Sequence, residues 1–210
     1  MEELNARANI YALISRILLQ ELDGDFVDTL KNDEAILEFF PNLKSWEPFT
    51  ELSRADLLNK HLNVDFTNIS LLHLIPYETF YTREDQMIET GGANPVTNIY
   101  NEFNFLVDYE VARVVSSDHI GVELEFMYHL IEGEKKAEAA KDDEAIAMFK
   151  KAQHDFLNKH LINWAPHYLI SAKYEARTPL YHDTCEMALE FILSDNEALT
   201  SQLGVNEFAK

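Results

Sequence analysis

The sequence predicts an all-α fold, one helical domain of about nine to ten helices in two halves joined by an irregular middle segment. Three observations carry that expectation. Apolar residues recur at three- and four-residue steps through most of the chain, as amphipathic helices require. Only six Gly and six Pro occur in 210 residues, too few for the many turns of a sandwich or barrel. Ala-rich stretches in the second half favour helix.

In chain order, Leu4, Ile10, Tyr11, Leu13, Ile14, Ile17, Leu18 and Leu22 mark a first helix, broken at Asp23-Gly24-Asp25. A second is predicted from about Asp25 to Phe40, stopped by Pro41, and a third from about Pro48 to Ser70. Residues 1–70 form the N-terminal half. Residues 71–117 read as a connecting or hinge segment with short helices, because Pro76, Gly91-Gly92 and Pro95 interrupt any long period. The C-terminal half, 118–210, opens on a helix capped by Ser117 or Asp118 and running to about Gly133. A charged stretch from Glu134 to Glu144, a solvated helix face or hairpin, leads to a helix ending near His160. Leu161 to Pro166 marks a break, with Pro166 in the first turn of a helix reaching about Ala176. Thr178 as N-cap and Pro179 at the first position open a last helix to about Leu193. No internal repeat or low-complexity tract is expected.

Seventeen basic residues against 37 acidic ones give a formal charge of −20. Nucleic acids and anionic lipid surfaces draw affinity from Lys and Arg, so both are excluded as partners, while basic peptides and metals gain. A hydrophobic content of 47% argues for a folded domain despite the charge. The acid is concentrated: between residues 76 and 125 only Arg83 and Arg113 oppose ten carboxylates. The same stretch carries Tyr77, Phe80, Tyr81, Tyr100, Phe103, Phe105 and Tyr109, and aromatic faces beside carboxylates suit a guest with arginines and apolar side chains. A single cysteine, Cys185, expected to pack inward, fits a reducing compartment, and no apolar run approaches a membrane span or secretory signal. A cytoplasmic protein is expected. Walker A, G-x-S-x-G, G-x-G-x-x-G and H-E-x-x-H motifs are missing, so no catalytic residue and no cofactor is assigned.

Three constellations stand out. Pro76-Tyr77-Glu78-Thr79-Phe80-Tyr81 places two tyrosines one helical turn apart with an acid between. Asp118-His119-Ile120-Gly121-Val122-Glu123-Leu124-Glu125-Phe126-Met127 opens a helix, with Asp118 complementing its dipole and Gly121 leaving room for a close neighbour. His160-Leu161-Ile162-Asn163-Trp164-Ala165-Pro166 reads as a packed corner that Trp164 plugs. The i, i+4 pairs His119/Glu123 and Glu125/His129 also admit a helical metal-dependent enzyme as the alternative function, although the Glu-x-x-His repeat of a ferritin-like site is missing.

In order and spacing, Pro-Tyr-Glu-x-x-Tyr, then Asp-His-x-x-x-Glu-Leu-Glu-Phe-Met, then His-Leu-x-x-Trp-x-Pro, each about 40 residues after the last, the chain resembles the TorD/DmsD/NarJ family of cytoplasmic molybdoenzyme chaperones. The resemblance covers nearly the whole chain. It implies a non-enzymatic, all-helical chaperone that binds the N-terminal segment of a molybdenum-cofactor oxidoreductase, often its twin-arginine signal peptide, and assists cofactor insertion before export. Its partner would be that catalytic subunit; a non-exported client would lack the arginine pair. The implied peptide-binding residues are Tyr77, Glu78, Tyr81, Asp118 and His119, flanked by Glu123 and Glu125. Pro76, His160, Trp164 and Pro166 would shape the structural corner. The resemblance further implies a monomer or a dimer that swaps domains through residues 71–117, and client-specific differences around Thr79-Phe80 and Gly91-Gly92-Ala93-Asn94.

Overall fold

α1 (Glu2–Leu19) lies along α10 (Ile120–Ala140), the most extensive helix pair in the molecule, so the first and second halves of the chain are packed into one core. This geometry comes from a computed structural model describing residues 1–204. α1 buries Leu4, Ala8, Tyr11, Ile14, Ser15, Ile17 and Leu18, the face its three- and four-residue steps predict. The two backbones approach closely at Gly121. A Cβ there would sit 2.7 Å from Leu19 Cα, and the Ser15 hydroxyl donates to the Gly121 carbonyl at 2.7 Å. Only glycine permits that approach.

The all-α expectation holds: the chain is helical, with no strands among the described residues. Those residues form eleven continuous helices rather than nine to ten, because several predicted helices are split and others fused. The helix expected over 25–40 divides into α2 (Gly24–Asn32) and α3 (Glu34–Leu37), since the Asp33 carboxylate turns back to accept from the Ala35 and Ile36 amides. The helix expected from Pro48 divides likewise at Ser53, after α4 (Glu47–Glu51), and Ser53 Oγ accepts from the Asp56 amide.

From there the chain is helical through 54–72, as α5 (Arg54–Leu57), a π turn over Leu58–Leu62, α6 (Asn63–Thr67) and a second π turn over Asn68–Leu72. In the second half α11 (Asp143–Phe156), a π turn over Leu157–Leu161 and α12 (Ile162–Glu175) also run as one helix. The expected break at 161–166 is therefore not a break. Pro166 lies inside α12, and Asn163 Nδ2 donates to the Asn158 and Lys159 carbonyls of the wide turn that precedes the helix, at 3.0 and 2.8 Å. Two of the π turns have the same sequence, Leu-Asn-Lys-His-Leu, at 58–62 and 157–161. In both the lysine pairs with an aspartate one turn earlier, Lys60 with Asp56 and Lys159 with Asp155.

Other predicted ends also move. α10 passes Gly133 and stops at Lys141, φ 57°, where Asp142 caps α11. Gly133 leaves room for the Phe149 ring, which a Cβ would meet at 2.3 Å, so it serves packing rather than termination. α10 is capped by His119, not by Ser117 or Asp118. α13 (Pro179–Leu203) outlasts its predicted end by about ten residues, and Thr178 Oγ1 donates to buried Asp65 instead of accepting from the helix. Cys185 is buried, as expected. No helix among the described residues is long and apolar enough to cross a membrane.

Residues 73–119 contain only three short helices, α7 (Glu78–Thr82), α8 (Thr97–Glu102) and α9 (Tyr109–Ala112). Gln86, Asn104 and Arg113 in this stretch hold left-handed φ values of 51–56°. Such a conformation disfavours an L side chain and needs surrounding contacts to hold it.

Candidate functional site

The three sequence constellations, far apart in the chain, meet in one buried polar junction. Residues 76–78 pair antiparallel with 118–120 in an isolated bridge: the Glu78 amide donates to the Asp118 carbonyl at 3.0 Å and the Ile120 amide to the Pro76 carbonyl at 2.9 Å. This bridge delivers α7 to the start of α10.

Asp118, fully buried, is the centre of the junction. Its carboxylate accepts from the Thr79 amide at 2.8 Å, the Thr79 hydroxyl at 2.6 Å and Asn94 Nδ2 at 2.9 Å. Asn94 Nδ2 also lies within bonding distance of Ser116 Oγ, and Ser116 Oγ donates to the Glu89 carbonyl at 2.6 Å. The Glu89 amide donates to Thr79 Oγ1. Every donor to the Asp118 side chain is neutral, and all come from residues 79–94, so one carboxylate ties down the connecting segment.

His119, 4% exposed, is the N-cap of α10, its Nδ1 accepting from the Gly121 amide at 3.1 Å. An accepting ring nitrogen requires the neutral form. Burial agrees, pushing the imidazole pKa down to about 3 against the opposing pull of Asp118. The ring meets Tyr77 edge to face at 5.0 Å, and Tyr77 Oη accepts from the Val115 amide. Burial raises the Tyr77 phenol pKa.

On the other side of α7, Glu78 contacts His160 Nδ1 at 3.0 Å. His160 occupies the π turn between α11 and α12, a wide turn that re-aims side chains and recurs at functional sites. Trp164, fully buried, stacks on Tyr81 with centroids 5.5 Å apart and donates from Nε1 to Glu123 Oε2 at 3.1 Å. Glu123 is fully buried and its second oxygen, Oε1, has no protein partner. Burial first, then the neighbouring Glu78 and Asp118 charges, raise its pKa well above the usual carboxylate range. Burial pushes the Tyr81 phenol up to about 12.

Of the seven residues the sequence assigns to a peptide surface, the structure gathers Tyr77, Glu78, Tyr81, Asp118, His119 and Glu123 at this junction, with Glu125 beside it on the exposed face of α10. Five of the six are buried. Tyr81 and Glu125 alone among the seven reach solvent substantially. Pro76 contributes its carbonyl, while Pro166 lies further along α12 and makes no part of this polar network.

His119, Glu123, Glu125 and His129 do not converge as a metal site. His119 caps a helix, Glu123 is held by Trp164, and His129 Nε2 is bonded to the Phe103 carbonyl at 2.9 Å. No cluster of three or more His, Cys, Asp or Glu suited to a metal occurs among the described residues. Sequence reasoning missed Thr79, Asn94 and Ser116, whose polar, uncharged side chains look like loop surface. Their burial, 5% exposure or less, is the signal that identifies them.

Comparison with known proteins agrees with the three-motif reading. A family model described as the nitrate reductase delta subunit matches residues 29–169. Among curated proteins, the Chaperone protein TorD of Photobacterium profundum is 27% identical over 212 residues, covering 90% of this chain and 95% of that protein. Its namesake from Aliivibrio salmonicida is 26% identical, covering 80% of this chain and 84% of that protein. A third, from Vibrio parahaemolyticus, is 25% identical, covering 96% of this chain and 100% of that protein. No solved structure matches the chain.

Proposed function

Because this chain belongs to the nitrate reductase delta subunit family, we infer that it is a cytoplasmic, non-enzymatic chaperone in the maturation of a molybdoenzyme. It engages the client's basic N-terminal peptide, of the twin-arginine type, and holds the client until its cofactor is inserted. The observation that carries this reading is the surface of the segment tied down by Asp118. Leu71, Leu72, Met87, Leu106, Val111 and Val115 are 61–84% exposed in this stretch of the chain, which supports an interaction surface there. Glu84, Asp85, Glu102, Asp108 and Glu110 are exposed among them. Of the two arginines in the stretch, Arg83 is held by Asp85 and Glu89, which leaves the field acidic.

A peptide with paired arginines and an apolar stretch is complementary to that mixture, because guanidinium groups pair with carboxylates bidentately while apolar side chains cover apolar side chains. In this reading Tyr81 and Glu125 reach the peptide directly. Tyr77, Glu78, Asp118, His119 and Glu123 form the floor that fixes the segment's shape, so they act on the peptide through the surface they support.

Calorimetry with a twin-arginine peptide of the client and its Lys-Lys variant tests the reading. Binding that weakens with salt and falls about tenfold in the Lys-Lys peptide is expected. Salt-insensitive binding, or none, together with Asp118→Ala and His119→Ala variants that mature the client as well as wild type, would overturn it.

A further inference from the structure

A second surface lies across α1 from the junction. Ser15 and Tyr11 turn inward, toward α10 and α13, whereas Ile10 and Leu13 open onto a trough between α1, the α2–α3 region and α13. Two cavities of about 570 Å³ each lie side by side in this trough, with Ile10 and Phe39 lining both. Its floor is apolar: Leu13, Phe26 and Ile36 in one part, Met187 and Phe191 in the other. Phe39, which lines both cavities, is 42% exposed.

The walls specify the occupant. Along α13 the lining residues Asp183, Glu186, Met187, Glu190, Phe191 and Ser194 follow three- and four-residue steps, as do Ile10 and Leu13 on α1. Two helical walls with that spacing receive a third helix whose apolar side chains repeat at i, i+3, i+4 and i+7. Charge then selects among helices. Glu190 stands on the α13 wall beside Glu186, which is paired with Lys173, and the capping carboxylate of Asp33 lies near the other end. The basic lining residue Arg16 is already bonded to Asp23 at 2.7 Å, so the lining keeps a net negative charge. A second copy of this chain, itself at −20, meets like charge at the groove.

We propose that the groove between α1, α3 and α13 is a docking site for a basic amphipathic helix of a partner protein, separate from the peptide surface of residues 71–117. Nothing in this inference depends on the peptide reading.

The probe is an amphipathic peptide of about five helical turns with leucines on one face and lysines on the other, offered to the full chain in fluorescence anisotropy. A control carries glutamates in place of the lysines. The lysine peptide is expected to bind in a salt-sensitive way and the glutamate peptide not to bind. Phe39→Ser and Glu190→Lys are each expected to weaken the lysine peptide at least tenfold, with unchanged helix content by circular dichroism and unchanged binding of a twin-arginine peptide. Lysine-peptide binding that is as tight in both variants as in wild type would overturn the proposal. So would a wild-type dimer that Phe39→Ser converts to monomer, which would assign the groove to a second copy.

Discussion

Two of the buried polar networks in this molecule satisfy their carboxylates differently, one with a cation and one with neutral donors alone, the latter as buried Asp65 is satisfied by the Arg177 and Thr178 amides and the Thr178 hydroxyl. In the helical frame Asp195 of α13 accepts from Arg7 Nε at 2.6 Å, Arg7 Nη2 at 3.0 Å and the Tyr11 hydroxyl at 2.8 Å. Arg7 Nη2 continues to Gln153, and Gln153 Nε2 to Glu134, joining α1, α13, α11 and α10. A guanidinium balances the charge. Under the connecting segment no lysine or arginine takes part: Asp118 is satisfied by amides and a hydroxyl, and burial raises the pKa of Glu123. The frame network links long helices that are already stable through apolar packing. The segment network orders residues 79–94, where Met87 is exposed, and Leu71, Leu72, Leu106, Val111 and Val115 are exposed on either side of that span. A surface that must expose apolar groups to a client can be kept in shape by polar bonds underneath it.

Breaking each network separates the two roles. Arg7→Ala leaves Asp195 buried without its cation and is expected to cost about 4 kcal/mol of global stability, read by urea unfolding. Asp118→Ala leaves the Thr79 and Asn94 donors unsatisfied and should cost about 3 kcal/mol, concentrated in the segment. Amide exchange should then accelerate over residues 77–96 while α1 and α10 stay protected. If Asp118→Ala instead loosens α1 and α10 equally, the two networks are one cooperative unit and the contrast fails.

The pH response sharpens the comparison with smaller effects. Glu123 has a folded pKa raised above its unfolded value, so the folded state keeps a proton the unfolded state loses, and stability falls as pH rises above about 4.5 toward the folded pKa. Glu123→Gln removes that fall and should flatten the stability profile on the alkaline side. His119 has a folded pKa lowered to about 3 from 6.5, so the unfolded state gains a proton first and stability is lost as pH drops from about 6.5 toward 3. His119→Asn, which retains a cap acceptor, should reduce that acid sensitivity. A wild-type profile that neither substitution changes would contradict the assigned protonation states.

Much of the frame was legible in the sequence because periodicity and proline position report locally. The face of α1, the Pro179 start of α13 and the inward Cys185 needed no partner to be read. Splits at Asp33 and Ser53 were missed because a single capping side chain outweighed a continuing apolar pattern. The fused helix through Pro166 was missed because a proline inside an apolar run reads as a boundary, whereas here the helix runs from before it to Glu175. At the site, the motif residues were legible as a set but their depth was not. A sequence gives Asp118 the look of surface, and only the donors from Thr79 and Asn94, 39 and 24 residues away, make its burial affordable. Asn94 was read within a client-variable loop, yet its side chain is part of the Asp118 network.

The central claim is that residues 71–117, held from below by the Asp118 junction, are the surface the client peptide covers. Hydrogen exchange of the intact chain with and without a twin-arginine peptide tests it most directly. Slowed exchange confined to 71–117 and the neighbouring exposed face at Glu125, with α1 and α13 unchanged, is the predicted result. Protection that falls on α1 and α13 while 71–117 exchanges at its free rate would contradict the account.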